Sequence, residues 1–224
     1  MRQGKAQNTR LEILQCATKL FLERGYTDAY ITTIANMLQI STGNLTFHFP
    51  TKEHILAELI KELCTFQEQI EENEEGEYPL PIAYLLELAM FASVCVENPN
   101  IKDLVVSAYT HSMPLGMIRA NDTQRAKRVF GKFCPEWTET DFIQAENIVS
   151  GIEYAMFMTE NTEKLSFEQR VASSINAVMK IYEVPEEIRQ AIIAKVMAVD
   201  YRSMGSHVFE KFCNYVEESL QKES

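Results

Sequence analysis

Residues 31–56, ITTIANMLQISTGNLTFHFPTKEHIL, leave room for two short helices, one tight turn and the start of a third helix. Leu38-Gln39-Ile40-Ser41 closes the first helix, and Ser41 is placed to accept a backbone N–H at the start of the second. Thr42, Asn44, Thr46 and His48 then form a polar face, with Leu45 and Phe49 opposite. Pro50 breaks the chain, and Thr51 is positioned to cap the next helix. A helix this short, with small polar groups near its N-terminal end, is what the major groove of DNA admits and can be read by.

The surrounding pattern is helical. Leu11, Leu14, Ala17 and Phe21 recur at three and four, predicting a helix over about Asn8–Glu23 that Gly25 terminates in left-handed geometry. Helices follow over 31–38 and 42–47, and a fourth buries Leu56, Leu59, Ile60 and Leu63. That helix runs into the acidic segment 68–77, where Gly76 and Pro79 mark a boundary. Pro81 suits a first helical turn before 82–96, which is apolar nearly all round. Further helices are expected over 101–112, 117–133 (after an interruption at Pro114 and Gly116) and 138–159. Ser166-x-x-Gln169 reads as a capping box opening a helix to about 182, Pro185 opens another to about 199, and Gly205 separates a last one over 207–220. The fold class is all-α. Residues 1–54 form a three-helix domain, a connecting helix covers about 51–74, and 75–224 form a larger helical domain.

The motif Ile34-Ala35, then Ile40-Ser41-x-Gly43-x-Leu45-x-Phe47-His48-Phe49-Pro50-x-Lys52, resembles the helix-turn-helix of TetR-family transcriptional regulators. The resemblance covers residues 8–60; beyond them it is one of all-helical architecture and length. This chain departs from the family's usual pattern in having Gln39 where the turn carries Gly, and Thr46 where a Tyr follows the Leu of the reading helix. Tyr30 stands where a Ser or Thr cap is usual.

The resemblance implies a DNA-binding regulator, a ligand-responsive repressor acting as a homodimer on a pseudo-palindromic operator. Thr42, Asn44 and Thr46 would face base edges. Ser41 would cap the reading helix, and Thr32, Thr33, Phe47, His48 and Lys52 would lie along the phosphate backbone. Arg2, Lys5 and Arg10 could form a flexible arm. A small apolar or amphipathic effector would enter the Met- and aromatic-rich C-terminal part, with Tyr109, Met113, Met117, Phe130, Tyr154 and Phe157 as its expected lining. The spacing singles out none of His111, Glu87 and Glu153 as polar orienting groups. The small residues Ser150, Gly151, Ala155, Ala172, Ser173 and Ala177 would permit close helix approach in a dimer interface. The alternative is an adaptor that keeps the domain but acts through protein contacts.

Composition narrows the remaining classes. The chain has 224 residues, 46% apolar, with few Gly and Pro, and is therefore globular. Its net charge of −11 is uneven: residues 1–54 carry six basic and four acidic side chains, and 55–224 carry fifteen and twenty-eight. The acidic remainder would repel phosphate, so nucleic acid would be met through the N-terminal end, and neutral or cationic effectors are favoured over anionic ones. Five well-separated cysteines argue against a disulfide framework and for a reducing, cytoplasmic setting. No signal-peptide core opens the chain, and no membrane span is expected, since no apolar run reaches the ~20 residues required. No histidine follows a Glu by three residues, and no Gly-rich phosphate loop, G-x-S-x-G or H-E-x-x-H occurs. An enzyme, a cofactor and a metal site are therefore not expected.

Overall fold

The structure, a computed structural model, describes residues 2–73, 78–160 and 163–222. Among these are eleven α-helices: α1 (Arg2–Arg24), α2 (Ile31–Met37), α3 (Thr42–His48), α4 (Lys52–Asn73), α5 (Leu80–Glu97), α6 (Pro99–Thr110), α7 (Ser112–Phe130), α8 (Glu139–Met158), α9 (Phe167–Ile181), α10 (Glu186–Ala198) and α11 (Tyr201–Lys222). They form two compact units that are not consecutive in sequence. One comprises residues 1–69, 98–117 and 208–224; the other comprises 70–97 and 118–207. Gly76, part of the expected boundary, lies outside the described residues.

In the first unit α1 packs on α2 and α6, and α2 on α3. Ile13, Leu14, Ala17, Leu20 and Phe21 of α1 meet Ile34, Leu45, Phe49, Ile55 and Leu56 in a core with almost no solvent exposure. The apolar spacing read from the sequence is thus the spacing that is buried. Gly25 ends α1 with φ +81°, its N–H bonded to the Phe21 carbonyl at 2.9 Å. A Cβ there would stand 2.7 Å from a carboxylate oxygen of Asp103, so both backbone and space require glycine.

In the second unit α8 lies against α9, and α5 contacts α8, α9 and α10. The expected capping box of Ser166 with Gln169 opens α9, and a second one, Thr138 with Asp141, opens α8. Phe130 stacks on Tyr182 with centroids 4.6 Å apart, Tyr84 meets Phe130 edge-on at 5.5 Å, and Trp137 and Phe142 complete the cluster. Cys134 donates to the Tyr182 carbonyl at 3.1 Å, and burial raises its thiol pKa to about 11. All five cysteines are free thiols.

Several expectations need correction. Pro114 and Gly116 do not interrupt a helix. They lie in α7, where Pro114 occupies the first turn and its missing N–H has no intrahelical partner to lose. Gly205 does not separate helices either. It sits within α11, where a Cβ would come 2.9 Å from the Met90 carbonyl oxygen, so it permits close approach to α5. Helix α5 does reach the length and apolarity of a membrane span, with mean hydropathy 1.7 over 18 residues. Its partners among α8, α9 and α10 explain this: 56% of it is buried in the protein, as befits a core helix.

Candidate nucleic-acid interface

The reading helix is held from three sides. Ser41 Oγ accepts the Asn44 N–H at 3.1 Å, capping α3 as expected. Leu45 and Phe49 anchor its inner face, 0% and 1% exposed. The Gln39 turn between α2 and α3 adopts φ 56°, the left-handed region that glycine fills in the family pattern. Its N–H donates to the Asn36 carbonyl at 3.1 Å, and the next amide, Ile40, donates to Ala35 at 3.0 Å. The turn therefore closes despite the side chain, at a cost of about 1 kcal/mol.

What this scaffold presents is polar and open. Thr32, Ser41, Thr42, Asn44 and Thr46 are exposed, and Thr33 and His48 are half-buried. Thr46 Oγ1 bonds back to the Gly43 carbonyl at 3.3 Å. Phe47 projects with 79% of its surface exposed, its ring edge-on to His48 at 5.3 Å, and Tyr30 stands out at 60%. Tyr30 forms no side-chain cap on α2.

Two cations assigned to this face are engaged inside the unit. Lys52 Nζ donates to the carbonyls of Tyr26 (2.7 Å) and Thr27 (3.3 Å) and sits 4.1 Å above the Tyr26 ring. Burial lowers its pKa, and burial raises that of Tyr26 to about 12. Lys52 thus ties the start of α4 to the turn that follows α1, with one donor left over. Arg10 is not on a flexible arm: it lies in α1, bonds Glu58 at 2.8 Å and covers the Phe49 ring at 4.6 Å. The side chains of Arg2 and Lys5 lie outside the described residues.

A feature missed in the sequence is a clasp from α6 and α7. Asp103 accepts from the Thr27 N–H and hydroxyl, both at 2.7 Å. Asn100 donates to the Glu23 carbonyl at 2.6 Å. Glu53 accepts from the Met113 N–H at 2.9 Å and the Ser112 hydroxyl at 3.3 Å, which lowers its pKa. The only sequence signal was an Asp five residues after the capping Asn98, and the partners lie 59 to 77 residues away.

The other expected sites divide between the units. Tyr109, Met113 and Met117 belong to the first, and Phe130, Tyr154 and Phe157 to the second. Phe130 and Phe157 are buried, while Met113 is 40% exposed. On α8, Gly151 and Ala155 face solvent beside Ile148 (58%) and Met158 (39%). Ser150 must be removed from the interface set: it is 2% exposed and accepts from Arg119 at 2.8 Å. On α9, Ser173 is exposed, and Ala172 and Ala177 are half-buried.

Two short helices, α2 and α3, with this cap, turn and exposed face form a helix-turn-helix. The profile of "Bacterial regulatory proteins, tetR family" matches residues 13–59, the segment that carries α2 and α3. The transcriptional regulator UidR of Escherichia coli (strain K12) is 36% identical over 74 residues, 31% of this chain and 38% of that protein. The transcriptional regulator HbdR of Aromatoleum sp. (strain CIB) is 37% identical over 147 residues, 63% and 62% of the two chains. The chain thus spans less than two thirds of the length of either relative. Among solved structures, full-length TylP, a TetR regulator from Streptomyces fradiae, shares the fold with a TM-score of 0.50 at 17% identity, over 99% of this chain and 94% of that one.

Proposed function

We propose that this chain is a cytoplasmic, sequence-specific DNA-binding transcriptional regulator that acts as a homodimer and a ligand-responsive repressor. The observation that carries the reading is the exposed face of α3, where Thr42, Asn44 and Thr46 stand clear of a capped, fully packed helix. Thr42, Asn44 and Thr46 read base edges, and Asn44 pairs with adenine. Thr32, Thr33, Phe47, His48 and the free donor of Lys52 line the backbone. One head reads one half-site, so two copies are required. The solvent-facing stripe of Ile148, Gly151, Ala155 and Met158 on α8 supports pairing there, together with Ala172, Ser173 and Ala177 on α9.

Effector response rests on the family likeness and on the α6–α7 clasp. An apolar or amphipathic ligand against Tyr109, Met113 or Met117 would act on the parts of α6 and α7 that bond Thr27, Glu23 and Glu53, and Phe130, Tyr154 and Phe157 are proposed as lining within the second unit. Tenfold operator release requires about 1.4 kcal/mol of preference for the DNA-incompetent state. The deciding experiment is selection of a duplex from a random pool, followed by affinity measurement across salt. Tight, salt-dependent binding to a palindromic sequence supports the proposal. Loss of all duplex preference, with a protein partner bound instead, would replace it with the adaptor reading.

A further inference from the structure

Three carboxylates meet in the core of the second unit. Asp122 of α7 and Glu146 and Glu153 of α8 are buried, and one ligand oxygen from each lies within 4.8 Å of the other two. Glu146 Oε2 accepts from the Tyr182 hydroxyl at 2.9 Å, while its Oε1 has no hydrogen-bond partner. The Tyr84 hydroxyl on α5 is also buried without a partner, and all three carboxylates act on it electrostatically. Buried polar atoms without a partner need an explanation, and an occupant of this cluster would supply one.

Charge and space say what kind. Arg125 bridges Glu87 and Asp122, and Arg119, bonded to Ser150, bears on Glu146. The carboxylates of Glu87, Asp122, Glu146 and Glu153 thus share one region of the unit with the guanidiniums of Arg119 and Arg125. The rings alongside are closely packed, with Phe130 on Tyr182 at 4.6 Å and Tyr84 on Phe130 at 5.5 Å. Oxygens under 4.8 Å apart are spaced as ligands of one ion, since metal–oxygen bonds of about 2.0–2.6 Å place ligands up to about 5 Å apart. The ligand set is all oxygen, the preference of magnesium, calcium and manganese rather than copper or zinc.

We infer that Asp122, Glu146 and Glu153, with the Tyr84 hydroxyl, form a binding site for one divalent, oxygen-preferring cation. The ion joins α5, α7 and α8 through their side chains and satisfies the open Glu146 oxygen. It is independent of the DNA-binding reading, because every ligand lies in the second unit.

The test uses the full chain stripped with chelator and titrated with calcium, manganese or magnesium chloride alone. Calorimetry should show one ion per chain, with a rise in the thermal midpoint. Terbium should emit when excited through tyrosine, since Tyr84 and Tyr182 adjoin the site. Glu146→Gln and Asp122→Asn should each weaken binding at least tenfold, abolish the thermal shift and retain the helical circular dichroism spectrum. Should one variant fail to fold, the other decides. No binding of any of the three ions at millimolar concentration would overturn the site. So would wild-type affinity in a folded variant, which would assign any bound ion to the acidic surface.

Discussion

Asp103 accepts two 2.7 Å hydrogen bonds from Thr27, one from its backbone N–H and one from its hydroxyl, joining α6 to the turn that follows α1. Gly25, two residues earlier, leaves room for this carboxylate. Asp103→Ala should destabilise the protein by about 1–2 kcal/mol, the lower part of the range for bonds to a charged group because the contact is exposed. Gly25→Ala should cost at least about 1 kcal/mol through its positive φ, and more through collision with Asp103. In urea unfolding the double variant should be less destabilised than the summed singles. Strict additivity would show that the two residues act separately.

Gln39 holds φ 56° in the turn before the reading helix. Gln39→Gly should raise stability by up to about 1 kcal/mol, because glycine enters this region without the side-chain penalty. Its greater unfolded-state entropy opposes part of the gain. Operator affinity should change little, since Gln39 is not among the proposed contacts. A lowered thermal midpoint would show that the Gln39 side chain stabilises the turn.

Asn44 and Lys52 should fail in different ways. Asn44→Ala should relax preference at one base pair and lose roughly 1–3 kcal/mol on the best site. Lys52→Ala removes the donors to the Tyr26 and Thr27 carbonyls, so it should lower folding stability as well as weaken all sequences alike. Its salt slope should fall by no more than about one, since a single donor remains for phosphate. An unaltered base preference in Asn44→Ala would remove this residue from the reading face.

Glu53 gives the first unit a dependence on acid. The Met113 N–H, with the Ser112 hydroxyl, holds its carboxyl below the ordinary value of 4.5. The unfolded chain then binds this proton more tightly than the folded one. The contribution is present above about pH 4.5 and is lost as pH falls through the lower folded value. Glu58 adds to it in the same direction: burial alone would raise its pKa, but the Arg10 hydrogen bond and charge outweigh that and lower it. Thermal midpoints from pH 6 to 3 should fall more steeply for wild type than for Glu53→Gln. Parallel curves would show that Glu53 does not set the slope.

The parts of this molecule that could be read from its sequence are those governed by near neighbours. Ser41 with Asn44, Ser166 with Gln169, and Gly25 after Phe21 are each closed within five residues, and each formed. Pro114 and Gly205 misled because their local preference permits two outcomes, and packing chose the helix in both cases. The engaged state of Lys52 was hidden because its carbonyl partners lie twenty-five and twenty-six residues away. The buried carboxylates escaped notice because no metal spacing links them. Glu146 and Glu153, seven apart, share one face of α8, but Asp122 joins them only through tertiary packing. Small residues alone could not give the phase of α8 either: Ser150 turns inward and Gly151 outward, one residue apart.

That phase leads to the test of assembly. Gly151 has nothing within 4 Å of the position a Cβ would take, so a larger side chain meets no obstacle within the chain itself. Gly151→Arg should therefore fold with near-wild-type stability, apart from the gain in helix propensity that comes from replacing glycine. In a symmetric pair built on this face of α8, two guanidiniums and two long side chains would enter the closely packed interface. Sedimentation at micromolar concentration should give monomers for Gly151→Arg and dimers for the wild type. Operator binding should fall steeply, because a monomer engages only one half-site. Ser150→Ala, which removes only the inward bond to Arg119, should leave the dimer intact. A dimeric Gly151→Arg would place the interface on another helix, and a wild type that stays monomeric on operator would end the homodimer proposal.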